Sequence, residues 1–174
     1  MSEPSLECTA RIQAQALERG TWIVVLKADQ VPHVALLQRG VCFSLEHDGN
    51  HRYPAQKLWR LIESRQIPTV LCRLTAQAEG SVAAFFEAFD RLEGDANCFL
   101  PVRDHCASWF PAAAACDFVF QLIPLLDSAG KIELAASVNL PGGSGSPYVF
   151  PQYDQTEIRA RIAAVRRSVA GAGD

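Results

Sequence analysis

Two short apolar runs, residues 34–37 (VALL) and 41–45 (VCFSL), are separated by Gln38, Arg39 and Gly40. That spacing predicts a β-hairpin, which commits this part of the chain to an antiparallel sheet. Gly40 supplies the positive φ that a tight turn needs. With a two-residue loop, Arg39-Gly40, Gln38 pairs with Val41, Leu37 with Cys42, Ala35 with Ser44, and His33 with Glu46. Val34, Leu36, Val41, Phe43 and Leu45 then share the opposite, apolar face. His33 and Glu46 become cross-strand neighbours about 5 Å apart at Cβ. A three-residue loop would slip the register and turn one strand's side chains over.

Around the hairpin the chain alternates between strand and helix periods. Residues 5–19 read as a helix capped by Ser5 and closed by Gly20, with Leu6, Ile12, Ala16 and Leu17 as a partial apolar stripe. Residues 21–26 (TWIVVL) read as a strand buried on both faces. Residues 47–52 are a polar loop. His47 and His51 have HxxxH spacing there, but Asp48, Gly49 and Asn50 break any helix that would align them. Pro54 starts a helix whose apolar side is Leu58, Leu61 and Ile62. Residues 69–74 form another strand, and 77–92 have helical period through Val82, Phe85, Phe86 and Phe89, closed by Gly94 and Asp95. The apolar segment 110–126 reads as a core helix, with Pro111 near its start and Pro124 near its end. Residues 131–140 are a strand. Residues 141–147 are a flexible glycine-rich loop without the Lys-Ser/Thr of a phosphate-binding loop. An aromatic segment, 148–153, and a terminal helix, 154–169, complete the chain. The pattern is a single α+β domain over 1–174, its core about residues 20–140, with an antiparallel sheet packed by helices.

A chain of 174 residues is long enough for a substantial core. The formal net charge of −3 gives no reason to expect nucleic acid or an anionic membrane as partner. The one basic cluster, Arg159, Arg161, Arg166 and Arg167, falls on the exposed face of the terminal helix. No run approaches the roughly eighteen apolar residues of a membrane span. The first residues, MSEPSLECTARIQ, carry acids and no apolar core, unlike a signal peptide. The six cysteines lack paired short spacings, so reduced thiols in the cytoplasm are expected. Without a CxxC, no metal or other cofactor is expected. Cys98, His105 and Cys106 remain the faintest alternative, as a metal site.

Three cysteines, Cys98, Cys106 and Cys116, fall within residues 96–118. Cys106 follows the polar run Arg103-Asp104-His105 and precedes the alanine-rich apolar segment, which reads as a polar loop feeding a buried helix. A helix N-terminus carries unpaired N–H groups and partial positive charge, and both favour a thiolate. A free cysteine is otherwise a small buried apolar residue. A cysteine hydrolase needs a thiolate, an imidazole and a polar group that fixes the imidazole tautomer. Cys106 as nucleophile, His33 as base and Glu46 as orienting group meet that need, with helix N–H groups after the cysteine to hold an oxyanion. Cys98, in Ala96-Asn97-Cys98-Phe99, competes as nucleophile.

The order of these elements is itself informative. A histidine opens an apolar strand (His33-Val34-Ala35-Leu36-Leu37), and a second strand ends in a polar residue (Phe43-Ser44-Leu45-Glu46). A proline-led helix follows (Tyr53-Pro54-Ala55-Gln56-Lys57-Leu58), then a strand ending Cys72-Arg73-Leu74. The cysteine comes last (His105-Cys106-Ala107-Ser108-Trp109). Over roughly residues 20–125 this resembles the circularly permuted papain-like group of NlpC/P60-type proteins, which includes the lecithin–retinol acyltransferase-like enzymes. The resemblance implies an antiparallel sheet with the nucleophile on a helix packed against it. It also implies hydrolysis or transfer at an amide, thioester or ester through an acyl-cysteine, on a small peptide-like or acyl substrate. The contrasting reading is a non-catalytic binding or scaffold domain of the same fold, with Tyr148-Val149-Phe150-Pro151-Gln152-Tyr153 in a partner surface. Oligomeric state is not legible.

Overall fold

The computed structural model describes residues 5–92, 97–142 and 147–171. Its centre is a six-stranded antiparallel sheet of order β5-β4-β3-β2-β6-β7. The strands are β2 (Thr21–Leu26), β3 (His33–Gln38), β4 (Val41–Glu46), β5 (Gly49–Pro54), β6 (Thr69–Leu74) and β7 (Ile132–Val138). The fold is α+β. Strand β2 is central and buried at every position, as its β-branched, two-faced composition demands.

The β3–β4 hairpin has the register that the two-residue loop implies, with Gln38 opposite Val41, Leu37 opposite Cys42 and Leu36 opposite Phe43. Arg39 and Gly40 both have positive φ, 49° and 79°, the signature of a primed turn. An arginine in that region costs roughly 1–2 kcal/mol. Contacts from outside the turn help offset it: the Arg39 N–H donates to the Gly20 carbonyl at 3.0 Å, and the Gly40 N–H to the Leu17 carbonyl at 3.2 Å.

Side chains alternate across the sheet as the register requires. Val34, Leu36, Phe43 and Leu45 join Ile23, Val25, Val70 and Cys72 in one core. Onto that face pack α3 (Phe99–Trp109) and α4 (Val119–Ser128), through Phe99, Val102, Cys106, Leu122, Ile123 and Leu126. Ala35, Leu37 and Cys42 join Trp22, Val24 and Leu71 on the opposite face. That face is covered by α1 (Ala55–Ser64), through Ala55, Leu58 and Ile62. Burying each such aliphatic side chain is worth about 1.5–3 kcal/mol, so both faces of the sheet are committed. The last helix, α5 (Gln155–Ala170), is capped by Asp154, whose carboxylate accepts from the Glu157 N–H at 2.9 Å. No helix among the described residues is long and apolar enough to cross a membrane.

Several local expectations are corrected. Residues 5–19 are not a helix. Ser5–Glu7 form β1, paired with β8 (Pro147–Val149), and a 3₁₀ turn covers Ala14–Glu18. Leu6 and Cys8 both point inward, a period of two rather than of 3.6. The polar 47–52 segment is mostly strand: β5 is an edge strand drawn into the sheet by pairing with β4, and polar residues suit an edge. The 77–92 segment is broken into a 3₁₀ turn, Ala76–Glu79, and the short α2, Ala83–Glu87. The expected core helix over 110–126 starts late: Pro111–Ala115 are 3₁₀ and α4 begins at Val119. Gly94, Asp95 and Ala96, and residues 143–146 of the expected flexible loop, lie outside the described residues.

Candidate functional site

The decisive correction concerns where a helix begins. Residues 99–105 are not a polar loop but the first two turns of α3, so the helix N-terminus falls at Cys98, not Cys106. The local reasons are two. The Asn97 side chain accepts from the Phe99 N–H at 3.0 Å, which satisfies a first-turn donor. Pro101 sits in that first turn, where its missing N–H costs nothing. Phe99, Val102 and Cys106 then recur at helical spacing and are buried. Cys106 therefore lies two turns inside the helix, in the core, with 0% exposure. Burial and nearby Cys116 push its thiol pKa up to about 12. It is not brought to His33.

Cys98 is. It is part-buried and in hydrogen-bond contact with the His33 imidazole. The Val34 N–H also donates to its Sγ at 3.3 Å. That donor is free because the β3–β4 ladder ends at Leu36–Phe43, and the strands part toward His33. Burial by itself would raise the Cys98 pKa; the His33 charge, their hydrogen bond and the Val34 N–H outweigh it, and the net shift is downward. Burial by itself would lower the His33 pKa; Cys98, their hydrogen bond and the Glu46 charge outweigh it, and the net shift is upward. Each group favours the charged form of the other.

The third position also differs from expectation. His33 Nε2 lies 2.7 Å from Ser44 Oγ, a contact running diagonally across the hairpin. Glu46 acts on His33 through space, by raising its pKa, and is not its hydrogen-bond partner. The parting of the strands explains this: direct opposition of 33 and 46 requires the ladder to continue past Leu36–Phe43. Ser44 is fully buried and in turn shares a hydrogen bond with the Tyr53 hydroxyl of β5, which also contacts Cys42. Cys98, His33, Ser44 and Tyr53 thus form one connected chain.

Cys98, His33 and Tyr53 open onto a cavity of about 320 Å³, with Ser44 behind them. His33, Glu46, Tyr53, Asn97, Cys98 and Tyr153 line its reactive side. Leu26, Leu61 and Ile67, together with Ile158, Ile162 and Val165 of α5, give it apolar walls. Burial holds the Tyr153 hydroxyl protonated, with the Cys98 charge adding to the effect.

Other donors fall elsewhere. His105 is buried and its Nε2 lies 3.2 Å from the Ala78 carbonyl oxygen; burial pushes its pKa down to about 4. The trio Cys98, His105 and Cys106 does not converge. Among the described residues the donor group that does is Glu46, Asp48 and His51, with ligand atoms within 4.8 Å of one another. There His51 Nε2 lies 2.7 Å from Asp48 Oδ1. Trp109 is partly buried against the core, not in the cavity wall. No family model, curated protein or solved structure matches this chain.

Proposed function

We propose that the chain is a cysteine-dependent hydrolase or acyltransferase acting on an amide, thioester or ester, with Cys98 as nucleophile, His33 as acid–base group and Ser44 as orienting group. The observation that carries the reading is the Cys98–His33–Ser44 contact at a helix N-terminus, beside an apolar cavity. A lowered thiol pKa beside a raised imidazole pKa is the arrangement that makes a thiolate available at neutral pH. It also fits the order of histidine before cysteine on which the resemblance to the permuted papain-like group rests.

In the proposed reaction the Cys98 thiolate attacks the substrate carbonyl carbon. The negative charge moves to the carbonyl oxygen, facing the Cys98 N–H, the positive end of α3 and the Tyr153 hydroxyl. The carbon–heteroatom bond breaks, and His33 gives its proton to the departing amine, thiol or alcohol. An acyl-Cys98 remains. Neutral His33 then takes a proton from water, or from an acceptor alcohol or amine, whose oxygen or nitrogen attacks the acyl carbon. The acid or transferred acyl product leaves, and the thiolate and imidazolium are restored. Ser44 holds Nε2 throughout, which leaves Nδ1 for the thiol. The six free cysteines support a reducing compartment, in keeping with a cytoplasmic protein.

The test is covalent. Incubation with p-nitrophenyl acetate, followed by acid quench and mass spectrometry, should give one acetyl group on the Cys98 peptide, removable by neutral hydroxylamine. Acetylation spread over surface lysines, with Cys98 unmodified, would refute the assignment and favour a binding domain.

A further inference from the structure

The cavity beside Cys98 is electrically one-sided. Lys27, Arg65 and Arg161 line it, against a single carboxylate, Glu46. The three cations come from three separate parts of the chain. Lys27 follows the end of β2, Arg65 closes the C-terminus of α1, and Arg161 lies on α5. On α5 the positions 158, 161, 162 and 165 share one face, so Arg161 sits among the apolar side chains that cover the cavity.

Among the described residues Lys27, Arg65 and Arg161 have no ion pair, so none of the three is neutralised by a carboxylate at contact distance, in contrast to Arg39, Arg52, Arg73 and Arg103. Arg19, Lys57, Arg60 and Arg167 are also without one, and what distinguishes the three is that they line one cavity. Lys27 also has a backbone φ of 55°, a left-handed conformation that costs a side-chain-bearing residue about 1 kcal/mol or more. Both arginines act on Lys27. The lysine pKa is lowered, first by partial burial and then by the charges of Arg161 and Arg65. Three like charges against one carboxylate, on the wall of an apolar cavity, are a good arrangement for an anion.

We propose that the substrate is an anionic amphiphile, whose carboxylate or phosphate is held by Lys27, Arg65 and Arg161 while its apolar part lies against Ile158, Ile162, Leu61 and Ile67 beside Cys98. The inference rests on the acyl-transfer reading for calling this ligand a substrate. Arg161 and Ile162 belong to α5, so an occupying ligand bridges the sheet, α1 and the C-terminal helix.

The test is binding of three probes with one chain length: octyl phosphate, octanoate and 1-octanol. They are titrated calorimetrically into the wild-type chain and into a Lys27→Gln/Arg65→Gln/Arg161→Gln variant. At low salt at least one anion should bind wild type about tenfold or more tighter than 1-octanol. The gap should close in the variant and shrink as salt is raised. Preference for octyl phosphate alone assigns a phosphate, and preference for octanoate alone assigns a carboxylate. If the triple variant does not melt like wild type, the salt series on wild type and the single Lys27→Gln variant carry the same comparison. Equal binding of 1-octanol and both anions, or an anion preference that survives neutralisation of the cations, overturns the proposal. So does an anion that binds without slowing iodoacetamide alkylation of Cys98, because its site is then not this cavity. Slow Cys98 alkylation in the ligand-free chain strikes the acyl-transfer reading instead, and the binding ratios still decide the anion site.

Discussion

The molecule contains two histidine–cysteine pairs, and they behave in opposite ways. His105 and Cys106 are adjacent in sequence, yet α3 turns both into the core, where burial holds the histidine pKa down to about 4 and the thiol up to about 12. His33 and Cys98 are far apart in sequence, yet the start of β3 and the start of α3 bring them into contact. There the histidine shifts up and the thiol down. Residue type is the same in both pairs; what differs is whether each group has a partner that gains from its charge. Burial without such a partner keeps both neutral, whereas burial with one draws both toward the ion pair.

The comparison breaks most visibly at the thiols. Cys98→Ala should abolish acylation by p-nitrophenyl acetate, whereas Cys106→Ala should leave it in place and lower stability by roughly 1–2 kcal/mol, as loss of a small buried group does. Acetylation kinetics and urea denaturation of the two variants check this. Equal loss in both would erase the distinction.

His105 sharpens the neutral side. Its folded pKa, about 4, lies below the ordinary 6.5. The unfolded chain therefore binds the proton more readily. The stability that neutral His105 contributes is full above about pH 6.5 and is lost as pH falls toward 4. The shift corresponds to about 3 kcal/mol at most. Urea denaturation at pH 7 and pH 4.5 should show this acid sensitivity in wild type and less of it in His105→Gln, which keeps a donor for the Ala78 carbonyl but cannot titrate. An unchanged pH dependence in the variant would place the sensitivity elsewhere.

Two smaller effects dissect the charged pair. Ser44→Ala removes the contact to Nε2 and should slow Cys98 acylation several-fold, with the fold kept and stability lower by roughly 1–3 kcal/mol, because buried partners lose a hydrogen bond. Glu46→Gln removes a through-space charge that raises the His33 pKa, so the His33 titration should move down by a fraction of a unit, with less than threefold change in rate. Histidine NMR across pH follows both. A larger loss in Glu46→Gln than in Ser44→Ala would restore Glu46 as the orienting residue.

Much of the fold was legible because it depends on local rules. Gly40 between two apolar runs fixes the hairpin and its register, and the alternation of Leu36, Leu37, Cys42 and Phe43 assigns their faces. The terminal helix was legible as well, and in the structure its start is fixed by the reciprocal capping of Asp154 and Glu157. The histidine of the site was legible for the same reason, as a strand-opening residue beside a well-defined turn. The cysteine was misplaced because the polar run Arg103-Asp104-His105 reads as a loop, although Asn97 and Pro101 together mark a helix start and Phe99, Val102 and Cys106 keep helical period. Ser44 was hidden for a different reason. Its contact with His33 is diagonal and arises where β3 and β4 separate, a tertiary feature that also leaves the Val34 N–H to Cys98. Pairing rules describe a ladder, not the place where one opens.

The most direct test of the account is alkylation by iodoacetamide across a pH series, with mass-spectrometric site assignment, on wild type and His33→Ala. The account predicts that Cys98 reacts first, about tenfold or more faster than Cys106 at pH 7, with an apparent pKa below that of an ordinary thiol, and that His33→Ala removes this advantage. Preferential labelling of Cys106, or Cys98 labelling that rises only at alkaline pH and does not respond to His33→Ala, would contradict it.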